Sequence, residues 1–166
     1  MANLLMTARR FTPNNTMVKG YSVTVDTNVF LRSADVSSAD YGAAKDVLLS
    51  LIQSKVHVLL SPQIIHECWV VLTRSLDKNG FGLSVEQAYE FTRELSRFYR
   101  IRQETKRCFM TWLGLVKEHD IKGVKAHDAR LVAWMITNGI EKMITFNVSD
   151  FDGLPIKVIH PARAQF

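Results

Sequence analysis

Residues Tyr21–Leu31 read YSVTVDTNVFL. Tyr21, Val23, Thr24 and Val25 are alternating or β-branched and predict a short strand, which runs straight into Asp26-Thr27-Asn28. A carboxylate at the carboxyl end of a strand is out of place unless something binds it. In open α/β sheets that edge carries the ligand sites, because the chain turns outward there and leaves a crevice. The expectation is that other acids converge on Asp26.

Working outward from this strand, Arg32–Asp40 reads as a polar connection. A helix follows, with Ala43, Ala44, Val47, Leu48, Leu51 and Ile52 on one face. Val56-His57-Val58-Leu59-Leu60 is an apolar run of strand length, as expected of a strand covered on both faces, and His57 within it reads as a core histidine. Ser61-Pro62 has the form of an N-cap followed by proline at the first helical position. That helix carries Ile64, Ile65, Cys68, Trp69, Val71 and Leu72 and stops in Asp77-Lys78-Asn79-Gly80. Ser84 and Gln87 form a capping-box pattern ahead of Val85, Ala88, Phe91, Leu95 and Phe98. Phe98–Arg102 reads as a short third strand, and Thr105–His119 as a helix with Phe109, Trp112, Leu113 and Val116 as its core face. Ala126–Thr137 is a last long helix, ended by Asn138-Gly139. Lys142–Thr145 and Ile156–Ile159 complete the strands. Alternation of strands and helices implies parallel strands joined by right-handed crossovers. The fold class is therefore α/β, a three-layer α/β/α sandwich with a central parallel sheet of four to five strands.

Composition narrows the function. The chain has 166 residues, 47% of them hydrophobic, ordinary for a globular protein long enough to bury a core. No apolar run approaches the roughly 20 residues a spanning helix needs, so no membrane role is expected. Cys68 and Cys108 are far apart in helix-like stretches, which fits reduced thiols and a cytoplasmic setting. A net charge of +5 and a pI near 9.4 point weakly to an anionic partner such as nucleic acid. Residues 1–20 have no periodicity and no acid but contain Arg9, Arg10, Pro13, Asn14 and Asn15. They read as a flexible tail ahead of a single domain over 21–166. An Arg-rich targeting segment is one reading of that tail; a tag or upstream start before Met17 is the plainer one.

Two further acids share a side with apolar residues. Glu67 follows the second strand, with Ile64 three residues before it and Val70 and Val71 three and four after. Asp128 heads a stripe of Leu131, Val132, Met135 and Ile136. A lone acid near a helix start is ordinarily a solvated residue placed for the dipole. Two such acids plus Asp26 at a strand end favour a cluster, and clustered carboxylates raise one another's pKa or draw in a cation. Oxygen-only ligands suit Mg²⁺ or Mn²⁺. Thr145-Phe146-Asn147-Val148-Ser149-Asp150-Phe151 leaves the fourth strand at the same edge, so Thr145, Asn147 and Asp150 could add oxygens, although such a turn also caps its own backbone.

The ordered set of Asp26-Thr27-Asn28, Glu67, His127-Asp128-Ala129 and Thr145-x-Asn147-x-x-Asp150-Phe151 resembles the PIN domain, in particular the ribonuclease toxins of VapBC toxin–antitoxin modules. The similarity runs from about Val18 to about Pro161. It implies a Mg²⁺- or Mn²⁺-dependent endoribonuclease, with Asp26, Glu67 and Asp128 as the catalytic and metal-binding acids. It further implies an RNA substrate, a small antitoxin partner and a homodimer. The fourth family acid falls on Asn147, which carries no charge, and Asp150 lies close enough in sequence to compensate as a metal ligand. Asn28, Thr145 and Asn147 match supporting polar positions. Of the basic residues, Lys125 and Arg130 flank Asp128 and are the candidates for RNA contact. His127, its immediate neighbour, points about 100° away on a helix.

Two competing readings remain. Haloacid-dehalogenase-type phosphatases also open with a strand and an Asp, but they need Asp-x-Asp, and Asn28 stands at the second position. The other alternative is a non-catalytic PIN-like module that binds RNA or protein.

Overall fold

The computed structural model describes residues 22–54 and 56–166. The expected tail, residues 1–20, lies outside the described residues. Strand β1, Ser22–Val25, is followed by helices α1, Thr27–Ala34, and α2, Tyr41–Gln53. Strand β2, His57–Leu60, leads to α3, Pro62–Thr73, and α4, Val85–Phe98. The two-residue β3, Arg100–Ile101, precedes α5, Lys106–Glu118, and α6, Lys125–Thr137. Strands β4, Lys142–Ile144, and β5, Lys157–Ile159, close the order, with a 3₁₀ turn over Val148–Phe151 between them.

All four strand pairings are parallel, and the strands lie in the order β3-β2-β1-β4-β5. The chain first moves outward from β1 to β2 and β3, then reverses to place β4 on the other side of β1. Right-handed crossovers send the connections before and after that reversal to opposite faces of the sheet. Accordingly α1 packs on α2 and α3, and α3 on α4, whereas α5 packs on α6. The sandwich expected from the sequence is the one observed. Its core is β-branched and aliphatic on the strands (Val23, Val25, Leu60, Met143 and Ile144 are buried), covered by Leu48, Leu51, Ile64, Leu72, Leu131 and Trp134 from the helices. The local signals explain the boundaries. The Ser61 hydroxyl accepts from the Ile64 amide with Pro62 at the first helical position, Ser84 and Gln87 make a reciprocal capping box, and Thr105 caps α5.

Four sequence expectations need correction. Thr27–Ala34 forms a helix, α1, which takes in Arg32–Ala34 of the expected polar connection Arg32–Asp40. Its buried Thr27, Val29, Phe30, Leu31 and Ser33 are held by α2 and α3, which overrides the weak helical preference of Thr, Val and Phe. His57 is exposed, not in the core: it is the first residue of β2, and burial of that strand starts only at Val58. On α5 the buried residues are Cys108 and Leu115, with half-buried Trp112 donating its indole N–H to the Ala126 carbonyl at 3.0 Å. That line turns Phe109 (55% exposed) and Leu113 (40%) outward, since each helix residue lies about 100° from the next. Val70 and Ile136, expected on inward stripes, are likewise exposed at their helix edges.

This packing predicts that stability rests on the strand core more than on caps. Leu60→Ala should cost about 2–5 kcal/mol, and Ser84→Ala about 1 kcal/mol. Urea denaturation monitored by circular dichroism checks both.

Candidate active site

The reversal in strand order sits beside the carboxyl end of β1, the position at which open α/β sheets build their crevices. Val25 is level with Ile144 in the β1–β4 pairing, and the Asp26 amide donates to the Ile144 carbonyl at 2.9 Å. Asp26 and Thr145 therefore leave their strands side by side. Asp26 has the extended backbone of an N-cap residue for α1, yet its side chain makes no capping bond. Its carboxylate is turned across the sheet edge instead. The Thr145 hydroxyl donates to Asp26 Oδ2 at 2.5 Å, and Asn28 Nδ2 donates to the same oxygen at 2.7 Å. Asn28 also donates to Thr145 Oγ1 at 2.9 Å and accepts from the Phe146 amide through Oδ1 at 3.2 Å. Asn28 and Thr145 therefore both bond directly to Asp26, and Asn28 also bonds the end of β4.

Glu67 reaches the same edge from the first turns of α3. Thr27 Oγ1 donates to Glu67 Oε2 at 2.8 Å, and Gln63 Nε2 donates to Glu67 Oε1 at 2.8 Å. Gln63 Nε2 donates a second bond to the His127 carbonyl at 3.1 Å, which ties α3 to the first turn of α6, where Asp128 sits. Thr27 and Gln63 were not singled out from the sequence as site residues. The signal for Gln63 was its i, i+4 spacing to Glu67 on a helix; that for Thr27 was its place beside Asp26.

Burial pushes the Asp26 carboxyl up to about 6, partly offset by the Thr145 hydrogen bond and reinforced by the charges of Glu67 and Asp128. Asp128 is raised as well, first by burial, with Lys125 and His127 lowering it and Asp150 and Glu67 raising it. The acids are close enough to feel one another. Among the described residues, however, no three His, Cys, Asp or Glu side chains are gathered closely enough to hold a metal as they stand. Asp26 and Glu67 are turned to the hydroxyl and amide donors just described. The donor set is all oxygen, and two of its carboxyls are raised by burial and by like charge, which a divalent cation relieves. These residues fit a hard ion.

The remaining candidates fall around this edge. Asp150, in the 3₁₀ turn, is close enough to Asp128 to raise it, and its Oδ1 accepts from Lys125 Nζ at 3.0 Å. Both partners of that pair are substantially exposed. Asn147 is exposed, and its amide donates to Thr145 Oγ1 at 3.0 Å. Arg130 is half-buried in a two-pronged contact with Glu104, Nε at 3.2 Å and Nη2 at 3.0 Å from Oε2. His127 is exposed and joins the site through its backbone carbonyl.

A family model described as a PIN domain matches residues 22–149. No curated protein matches the chain by sequence. Solved structures do match. VapC20 of Mycobacterium tuberculosis, a sarcin-ricin loop cleaving toxin, superposes with a TM-score of 0.62 at 22% identity, covering 82% of this chain and 98% of that one. A toxin–antitoxin complex from Klebsiella pneumoniae gives 0.58 at 21% identity, covering 87% and 100%. FitAcB from Neisseria gonorrhoeae gives 0.63 at 16%, covering 86% and 99%. At these identities the likeness is one of fold.

The raised Asp26 has a consequence for stability. Folding holds its proton more tightly than the unfolded chain does, so its contribution is full below about pH 4 and is lost as pH rises through about 6. In metal-free buffer at pH 7.5, Asp26→Asn keeps acceptors for Thr145 and Asn28 and removes the buried charge. It should be more stable than the parent by up to about 3 kcal/mol, with the difference vanishing near pH 4. Urea titrations at the two pH values measure it.

Proposed function

The chain belongs to the PIN-domain family, and on that premise we propose that it is a metal-dependent endoribonuclease, the toxin of a toxin–antitoxin pair. The observation that carries this reading is the bonding that brings Asp26, Glu67 and the first turn of α6, where Asp128 sits, to one strand edge: Thr145 to Asp26, Thr27 to Glu67, and Gln63 to both Glu67 and the His127 carbonyl. These three acids would hold Mg²⁺ or Mn²⁺, with Asp150 as a further oxygen source beside Asp128. Such an ion, when bound, supplies an activated water for in-line attack on an RNA phosphodiester and offsets charge on the leaving oxygen.

The protein's own residues do the positioning. Thr145 and Asn28 orient the Asp26 carboxylate through Oδ2, and the Asn28 contact with the Phe146 amide keeps the end of β4 in register with β1. Lys125 stands at the mouth of the site in an exposed pair with Asp150. Exposed pairs contribute little, about 0–1 kcal/mol, so an RNA phosphate can take the ammonium over at small cost. Arg130 would reach RNA only by leaving Glu104, which makes Lys125 the better-placed cation. Asn147 sits where the family carries a fourth acid, and it supports the site through the amide contact to Thr145.

The proposal extends to a small antitoxin partner, a homodimer and a cytoplasmic setting. The Klebsiella pneumoniae neighbour, a toxin–antitoxin complex, and the sarcin-ricin loop cleaving toxin VapC20 support the toxin assignment. Among the described residues no helix is long and apolar enough to cross a membrane.

The test is cleavage of total cellular RNA by the purified chain with Mg²⁺ or Mn²⁺, with EDTA, and beside Asp26→Ala and Asp128→Ala. Discrete fragments that vanish with EDTA are expected. Each variant should lose activity by more than the roughly 10–100-fold that removal of an outer hydrogen-bond partner costs a metal site. Absence of both cleavage and acid-dependent metal binding would leave the chain a PIN-fold binding module.

A further inference from the structure

Gln63 is a buried amide (6% exposed) at the second position of α3, where a helix start has no need of it: Ser61 already accepts the Ile64 amide as the cap. Burial of a glutamine is costly unless its polar atoms are satisfied. Both bonds of its Nε2 are spent on two acid-bearing segments, Glu67 Oε1 at 2.8 Å and the His127 carbonyl at 3.1 Å. Its Oε1 is buried and has no hydrogen-bond partner among the described residues. The amide orientation is not arbitrary, because the flipped form would set an acceptor against a carboxylate and a carbonyl. The oxygen is left without a protein partner because both N–H groups are directed at the site.

Thr27, equally buried at 6%, holds the other oxygen of Glu67 through its hydroxyl at 2.8 Å. Each clamp on Glu67 therefore leads to a residue adjacent to another acid: Thr27 follows Asp26, and His127 precedes Asp128. Thr27 and Gln63 bond the carboxylate itself, and Gln63 links it to the α6 segment on the opposite face of the sheet. We propose that Gln63, acting with Thr27, is the positioning residue of the acidic site, fixing Glu67 against the first turn of α6 and so limiting how far the carboxylates must move to share a cation. This rests on the metal-site reading above and names residues through which that site is pre-organised. Ligands held by outer hydrogen bonds bind a metal more tightly because their orientation is not left to the binding step.

The experiment is Mn²⁺ titration of the full chain, followed by the loss of the free-ion electron paramagnetic resonance signal. Metal-free thermal unfolding is measured on the same samples. Gln63→Met preserves chain length and approximate volume while removing both donors, and Thr27→Val removes the hydroxyl isosterically; Thr27→Ser restores it. Thr92→Val is the control, since Thr92 is a buried hydroxyl on α4 that, among the described residues, bonds its own helix at Ala88 and Tyr89. The expected result is Mn²⁺ affinity about 10–100-fold weaker in Gln63→Met and Thr27→Val, near-parental affinity in Thr27→Ser, and parental affinity in Thr92→Val whatever its melting temperature. Cleavage by Gln63→Met should return toward the parental rate as Mn²⁺ is raised. Parental affinity in both Gln63→Met and Thr27→Val overturns the proposal. So does an affinity loss in Thr92→Val matching theirs at an equal drop in melting temperature, which would make the effect one of general stability. Should Gln63→Met fail to fold, the Thr27→Val and Thr27→Ser pair decides by the same criterion. A parent chain that binds no Mn²⁺ sinks the metal-site reading together with this inference, whereas a parent that binds beside indifferent variants sinks this inference alone.

Discussion

A carboxylate is held at the point where a strand buried over its last three residues ends, and much of the structure follows from that placement. Val23, Thr24 and Val25 are sealed in the sheet, so Asp26 emerges with little water around it and with Glu67 and Asp128 nearby. Burial and like charge both work against ionisation there. The response is visible in the bonding. Two donors from different segments, Thr145 and Asn28, converge on a single carboxylate oxygen, and the side chain gives up the capping bond that an Asp at a helix start ordinarily makes. Local helix chemistry yields to the requirements of the edge.

The same edge dictates how the sheet is wound. Asp26 and Thr145 are 119 residues apart in sequence and become neighbours only because the chain reverses after β3 and lays β4 against β1. Had β4 added beyond β3, the network through Asn28 to Phe146 would not form. The opposite edge shows the contrast: His57 begins β2 in solvent, and no acid of the site lies there. Chemistry gathers at one end of the parallel strands because the helix starts and the strand ends all open there. The helix starts also bring favourable dipole ends to the carboxylates of α3 and α6.

Around the acids, the buried donors divide the work. Asn28 and Thr145 secure Asp26 within the sheet, while Thr27 and Gln63 secure Glu67 between the two helical layers. Lys125 and Asp150 form the exposed rim, where an ion pair is weak enough to exchange partners with an incoming anion or cation. A rigid interior and an exchangeable rim are what a site needs if it must accept a charged polymer while keeping its acids aligned.

Much was legible in the linear chain. Alternating strand and helix patterns predicted a parallel three-layer fold, and Ser61-Pro62, Ser84 with Gln87 and Thr105 marked helix starts through bonds that span only three residues. Asp26, Glu67 and Asp128 could be picked out because each broke an apolar pattern where local chemistry did not require a charge. The remainder was decided by contacts between distant segments. Thr27 through Ser33 became a helix because α2 and α3 bury it. Phe109 and Leu113 turned outward because the α5–α6 seam runs through Cys108, Trp112 and Leu115, a choice between adjacent faces that periodicity leaves open. Gln63 carries no sequence signal beyond its spacing to Glu67, since its importance lies in a bond to the His127 carbonyl 64 residues away. Short-range hydrogen bonds and hydrophobic period are properties of the chain and can be read from it. Which face is buried, and which amide meets which carboxylate, depends on how the layers close, and only the tertiary structure decides that.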